Sequence, residues 1–240
     1  MLKQYDNRDL LSCEPRMLKA VMYPENIMMA PGFYPAYTDC SIEAKPSMYV
    51  LQLRDILLGK RKGFSDDIEL EQGLTGLCLR LNYPIDNSPC EVVNPAAYSL
   101  FTEAGCFVAR QTAASPMSVS FKGGHNRESH NHNDVGSFIF AKNGVQILAD
   151  PGTGKYCKDY FGSKRYTFFH TRSDGHSLPI IGGEGQKPGK EFCARDVRVD
   201  GDEFVLDIAP AYGIEGLSSI ERRFSFTETS ASVTDRFDYS

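Results

Sequence analysis

Gly136-Ser137-Phe138-Ile139-Phe140-Ala141-Lys142-Asn143-Gly144-Val145-Gln146-Ile147-Leu148 is the stretch that decides the fold. Asn-Gly between two β-prone runs is the preferred type I′ hairpin turn: both central residues need positive φ, and the turn's twist matches that of the strands. The same device recurs at Asp200-Gly201, between Ala194–Val199 and Glu203–Ile208. Working outward, Cys106–Arg110, Ser118–Phe121, Ile220–Phe226 and Ala231–Phe237 read as further short strands. Short strands separated by turn signals every ~8–12 residues predict an antiparallel sandwich or barrel.

Upstream the pattern changes. Met48–Leu58 places apolar residues at helical spacing, with Gly59 as its stop, and a second helix is expected over Ile68–Leu81. Met28–Pro46, rich in Pro, Gly and Tyr, reads as a loop. The predicted architecture is therefore mainly β: an antiparallel β-sandwich over residues 96–240, preceded by a short helical and loop segment over residues 1–95. The alternating run Ser232–Ser240 stops without a turn or polar tail, so a chain truncated within its sheet is expected.

Composition narrows the function classes. The chain has 240 residues, of which 41% are hydrophobic, enough for a real core, and none of its apolar runs approaches the roughly 18 residues of a membrane span. A net charge of −5 argues against a general nucleic-acid binder. The seven cysteines are scattered without a CxxC pair, which excludes a cysteine zinc knuckle and reads as reduced, mostly buried thiols. Leu10-Leu11-Ser12-Cys13 looks like a lipoprotein box, but Gln4, Asp6, Asn7, Arg8 and Asp9 stand where an apolar signal region belongs.

All five histidines lie between His125 and His176, and the stretch from Ser120 to Gly175 carries eight Lys/Arg against five Asp/Glu in an otherwise acidic chain. An anionic ligand is favoured there. In an extended chain His130 and His132 would point to one side. The hairpin around Asn143-Gly144 would return Asp150 close to His132, and His176 is the best third partner. A His/Asp/His set suits a borderline cation such as zinc. His125 and His170 read as surface or hydrogen-bonding residues, and Asn131, Asn133 and Asp134 could serve simply as turn formers.

Three motifs in order carry a specific resemblance. His130-Asn131-His132-Asn133-Asp134-Val135-Gly136-Ser137-Phe138, then Asp150-Pro151-Gly152-Thr153-Gly154 with Tyr156, then His176-Ser177-Leu178, resemble the heparinase II/III-like family of polysaccharide lyases. Phe101–Gly105, Phe107–Arg110 and Gln186 extend the similarity, which runs from about Phe33 to the C-terminus. The resemblance implies a helical toroid joined to antiparallel sheets of the super-sandwich type, and cleavage of uronate-containing polysaccharides by β-elimination. It implies a structural zinc on His132, Asp150 and His176, and places His130 in the substrate cleft. A tyrosine after the Asp-Pro-Gly motif is implied to be catalytic, with Tyr156 and Tyr166 as candidates. The family's location implies a periplasmic or secreted protein.

Residues 1–95 can hold only the last helices of such a toroid, so the isolated chain is expected to be inactive or nearly so. Elimination needs the uronate carboxylate neutralised, a base near the α proton and an acid for the leaving oxygen. Arg127 and Arg165, with Asn131 beside them, are the substrate-binding candidates for an anionic polysaccharide such as a heparin-like chain or alginate. Two other classes stay open. One is a non-catalytic carbohydrate-binding or structural sandwich with a bound metal. The other is a cupin, suggested by Gly124 followed six residues later by His130-Asn131-His132, although Gly136 and Ser137 stand where the cupin glutamate belongs.

Overall fold

A computed structural model describes residues 16–91, 96–102, 104–201, 203–227 and 229–240, with the side chains of 69–72 left aside. The Leu10–Cys13 box and Glu103 lie outside the described residues. The described parts of Met1–Ile27 and Lys45–Pro95 make one compact unit, and Met28–Ala44 with Ala96–Ser240 make another. Residues 28–44, which the sequence reading counts with the helical segment, therefore belong to the β unit.

The helical unit holds α1 (Arg16–Val21), α2 (Tyr23–Ile27), α3 (Met48–Leu57) and α4 (Ile68–Asn82). Ser47 caps α3 by accepting from the Tyr49 N–H. Gly59, at φ +71°, lies just past the helix end, in the left-handed region that glycine enters without a Cβ penalty. Inside this unit Arg54 is buried among Glu25, Asp55 and the Glu91 carbonyl, so its charge is matched. Among the described residues no helix is long and apolar enough to cross a membrane.

The β unit is an antiparallel sandwich. One sheet has the order β1 (Tyr98–Phe101), β2 (Cys106–Ala109), β3 (Met117–Phe121), β5 (Phe138–Lys142), β6 (Val145–Leu148). The other has the order β11 (Ala231–Tyr239), β10 (Leu217–Phe226), β9 (Glu203–Asp207), β8 (Arg195–Asp200). A short pair, β4 (His125–Asn126) with β7 (Gly189–Cys193), and the one-turn helix α5 (Ala209–Tyr212) complete it. The predicted hairpin is present, with Asn143 at φ +52° and Gly144 at φ +71°, as a type I′ turn requires. Element ends shift by one to three residues from those predicted, where hydrogen bonding rather than composition sets the limit.

Register explains the core. Phe107 pairs with Phe121 and Phe121 with Phe138, so three aromatic rings stand side by side on one face of the first sheet. They meet Phe204 and Phe224 of the second sheet, with ring centroids 5.2 Å apart for Phe107–Phe204 and 5.6 Å for Phe138–Phe224. The alternate residues of β3 and β5, Ser118, Ser120, Ile139 and Ala141, are also buried, so this sheet is covered on both faces. Such a sheet loses simple in–out alternation of hydrophobicity. Residues 28–44 pack on this unit as a strap: Met29 and Ala36 are buried, and the Met29 carbonyl accepts from Gln111.

One carboxylate fixes the second sheet's closed end. Asp207 accepts from the N–H groups of Ala209 and Ile220, each at 2.9 Å, and from Arg195 at 2.6 Å. Burial would raise its pKa, but these donors outweigh burial and hold it below the usual carboxylate value. Its stabilising contribution is complete above the unfolded pKa of roughly 3.9 and is lost as pH falls through the lowered folded value. Asp207→Asn should cost about 1–3 kcal/mol at neutral pH, because an amide cannot match the charge-assisted bond to Arg195. Urea denaturation at pH 7 and pH 3 checks this: the gap between wild type and variant should narrow at the lower pH.

Candidate metal centre

The site grows out of the hairpin. β5 and β6 pair as far as Phe140 opposite Leu148, so Asp150, just past β6, returns to the level where residues 131–136 enter β5. That entry segment is irregular but firmly held. The Gln186 side chain donates to the Val135 carbonyl at 2.6 Å and accepts from the Val135 N–H at 3.0 Å, taking the place of a missing strand. Asn133 N–H donates to the Thr171 carbonyl, and Ser173 Oγ donates to the Asn133 carbonyl. The buried Lys122 bonds Asp134, a pair that spares each charge an isolated burial. The loop after Asp150 returns through short 3-10 turns over residues 158–175, the last of which delivers His176.

His132, Asp150 and His176 thereby converge, with one potential ligand atom from each lying within 4.8 Å of the others. His176 Nδ1 sits 2.8 Å from Asp150 Oδ2, and both side chains are almost fully buried. His132 Nδ1 and His176 Nε2 are buried without a hydrogen-bond partner. Buried ring nitrogens are ordinarily satisfied, so these two orphans fit a cation that would take their lone pairs. Burial lowers the pKa of His132, which keeps that ring neutral as a ligand must be. For His176 burial acts in the same direction, but the hydrogen bond and charge of Asp150 overcome it and raise the pKa. A cation would have to displace that proton.

The other predicted residues take varied positions. His130 is not in a strand: it occupies a turn at φ +59°, a left-handed conformation uncommon for a side-chain-bearing residue. The extended backbone expected there is therefore corrected, although both rings still reach one carboxylate, that of Asp39, His132 through Nε2 and His130 through Nδ1. The His130 ring is largely exposed, with Nδ1 3.0 Å from Asp39 Oδ2. Asn131 is buried and donates through Nδ2 to Tyr166 Oη at 3.3 Å. Tyr156 is exposed, its ring against Tyr160 and Phe161. Arg127 is exposed in the turn after β4. Arg165 turns inward: its guanidinium bonds the carbonyls of Asn131 and Tyr160 and both carboxylate oxygens of Asp39. His125 accepts from the Arg127 N–H. His170 is half-buried and stacks on Tyr160 with ring centroids 5.3 Å apart.

Two participants were not singled out in the sequence. Asp39, on the strap, receives Tyr160, His132, Arg165 and His130 around one buried carboxylate. Burial alone would raise its pKa, but the combined hydrogen bonds lower it to about 2. Tyr160 is fully buried, and burial followed by its bond to Asp39 raises its pKa far above the ordinary tyrosine range, leaving it a donor.

The family model described as Heparinase II/III-like, C-terminal, matches residues 94–239 of this chain. The chain belongs to this family. Solved structures share the fold of this heparinase II/III-like protein. A heparinase III with methylated lysines superposes with a TM-score of 0.60 at 18% identity, covering 92% of this chain and 32% of the other. A second heparinase III gives 0.58 at 17%, covering 96% and 35%. The heparan sulfate lyase HepC of Pedobacter heparinus gives 0.56 at 16%, covering 90% and 31%. The chain thus spans about a third of the length of these enzymes. A search of curated proteins finds no match.

The glycines of the Asp150-Pro151-Gly152-Thr153-Gly154 motif have a packing reason in this heparinase II/III-like unit. Gly152 has φ +60°, donates to Asp150 Oδ1, and leaves no room for a Cβ, which would meet the Cys40 carbonyl at 2.6 Å. At Gly154 a Cβ would lie 1.9 Å from His170 Nε2. Gly154→Ala should therefore push His170 off Tyr160 and cost about 1–3 kcal/mol, the range for overpacking a filled site. Equal unfolding midpoints for variant and wild type would refute this packing account.

Proposed function

We propose that this chain is the β-sandwich part of a polysaccharide lyase that cleaves uronate-containing polysaccharides, heparin-like or alginate-like, by β-elimination, around a structural zinc held by His132, Asp150 and His176. The observation that carries this reading is the convergence of one potential ligand atom each from His132, Asp150 and His176 within 4.8 Å, in a pocket where His132 Nδ1 and His176 Nε2 are buried without a hydrogen-bond partner. Zinc bound there would cross-link the hairpin and the return loop, and with its fourth position filled and remote from the sugar it would offer substrate no open coordination site.

The chemistry then belongs to side chains at the exposed edge. Elimination takes the proton α to the uronate carboxylate, forms the C4–C5 double bond and expels the glycosidic oxygen at C4. His130, with its ring in solvent two residues from a zinc ligand, is suited to accept that proton or to hydrogen-bond the sugar. Tyr166 and the exposed Tyr156 are the candidates to protonate the leaving oxygen. Arg127 is placed to offset the substrate carboxylate, with Asn131 orienting Tyr166 and Arg165 anchoring the edge from within. This chain spans about a third of the length of its structural relatives. On the present reading further catalytic groups come from a helical toroid of the kind the family resemblance implies, and residues 1–240 alone should turn over slowly or not at all. A function on such polymers fits a periplasmic or secreted protein.

Metal analysis should find about one zinc per chain, and His132→Ala should abolish it and lower the melting temperature. Zinc affinity should fall by about tenfold per pH unit once the pH drops below the raised pKa of His176, because one proton then competes with the ion. For the substrate, calorimetric titration with uronate oligosaccharides is paired with the ultraviolet absorbance of the new C4–C5 double bond. Binding of the anionic sugar, reduced in Arg127→Ala, supports the lyase reading. Absence of both binding and turnover contradicts it. Turnover as fast as a full-length lyase would refute the need for a toroid, and binding with no elimination even beside an added toroid segment would favour a non-catalytic carbohydrate-binding sandwich.

A further inference from the structure

One carboxylate touches both histidines of the His130-Asn131-His132 motif, and the two contacts differ in kind. Asp39 Oδ1 lies 2.9 Å from Nε2 of His132, and Asp39 Oδ2 lies 3.0 Å from Nδ1 of His130. A carboxylate only accepts hydrogen bonds, so the facing nitrogen of each ring must carry the proton. For His132 a second contact agrees. Nε2 is also 3.3 Å from Tyr160 Oη, whose own hydrogen is given to Asp39, leaving that oxygen as an acceptor. The lone pair of neutral His132 therefore resides on Nδ1, the nitrogen that is buried without a hydrogen-bond partner. The lone pair of neutral His130 resides on Nε2, on a ring whose side chain is 57% exposed.

We propose that Asp39 is a positioning residue that sets both tautomers at once, turning the Nδ1 lone pair of His132 to the metal and leaving the Nε2 lone pair of His130 for a proton or hydroxyl of an incoming sugar. Three features make Asp39 rigid enough for this. Its side chain is 3% exposed, Arg165 Nη2 bonds both of its oxygens at 3.0 Å, and Tyr160 donates to Oδ1. The left-handed backbone at His130 is what brings that ring to the second oxygen of a carboxylate already bonded to His132. A carboxylate behind a metal-bound histidine fixes ring orientation and raises ligand basicity, and loss of such a partner typically weakens metal binding by about 10–100-fold. The effect on metal affinity rests on the zinc reading above, whereas the two tautomers do not.

The decisive experiment is a long-range proton–nitrogen NMR correlation of the histidine rings in the metal-free full chain, at a pH where both rings are neutral, followed by zinc titration against a competing chelator. The expected spectrum shows His132 protonated on Nε2 and His130 on Nδ1. In Asp39→Asn, whose amide both donates and accepts, His130 should become a mixture of tautomers, and zinc should bind about 10–100-fold more weakly. Asp207→Asn, destabilised at a remote position, should bind zinc within about twofold of wild type. A wild-type spectrum with His130 protonated on Nε2, or His132 on Nδ1, overturns the proposal without requiring any variant to fold. Zinc binding that is unchanged in Asp39→Asn overturns the positioning role at the metal. A chain that takes up no zinc refutes the metal reading instead, and the ring spectra still decide Asp39.

Discussion

The face of this molecule that bears the histidines has little regular structure, and the buried carboxylate of Asp39 holds it together. A charge with a side chain 3% exposed persists only if it is matched, and here four side chains from residues 130, 132, 160 and 165 do so. Because those donors come from the turn before β5 and from the loop after β6, satisfying one anion fixes the relative placement of two otherwise irregular segments on the strap. Removing the anion would strand Arg165 as an unmatched, largely buried cation, which is why such a group is costly to lose even where its net contribution to stability is modest.

The sandwich supplies the rigid side of that arrangement. Its aromatic contacts between the sheets, Phe107, Phe121 and Phe138 against Phe204 and Phe224, fix β2, β3 and β5, and β5 sets the height at which residues 131–136 and Asp150 meet. Gln186 and Arg222 extend the grip beyond the strands. The former pairs with the backbone of Val135, and the latter bonds the carbonyls of Gly136 and Ser177 while holding Asp235. The ring of His130, two residues from the buried His132, can then sit in solvent without the site losing its shape.

Much of this was legible in the sequence, for reasons that differ by element. The Asn143-Gly144 turn is local chemistry, so the hairpin and the return of Asp150 could be read directly. His132 and Asp150 flank that hairpin, so their approach followed from one pairing, whereas His176 arrives through the 3-10 turns of residues 158–175 and was legible only from its His176-Ser177-Leu178 motif. Asp39 could not be found this way: it is 93 residues from His132, in a stretch rich in Pro, Gly and Tyr that carries no periodicity. Nothing in spacing separates Tyr160 from Tyr156 and Tyr166, and only packing shows which of the three is buried. The same lack of alternation hid the strap, since a sheet buried on both faces, with Ser118 and Ser120 under cover, does not advertise what covers it.

In the proposed centre two imidazole nitrogens and a carboxylate oxygen enclose one ion. X-ray absorption at the zinc edge of the zinc-loaded chain tests this most directly, because it reads ligand type without reference to activity or fold stability. Two imidazoles and light oxygen donors at about 2.0–2.2 Å, with the imidazole signal lost in His176→Ala, are predicted. A shell containing sulfur at about 2.3 Å, which would place the ion on the cysteines, or one made of oxygen alone, would contradict it.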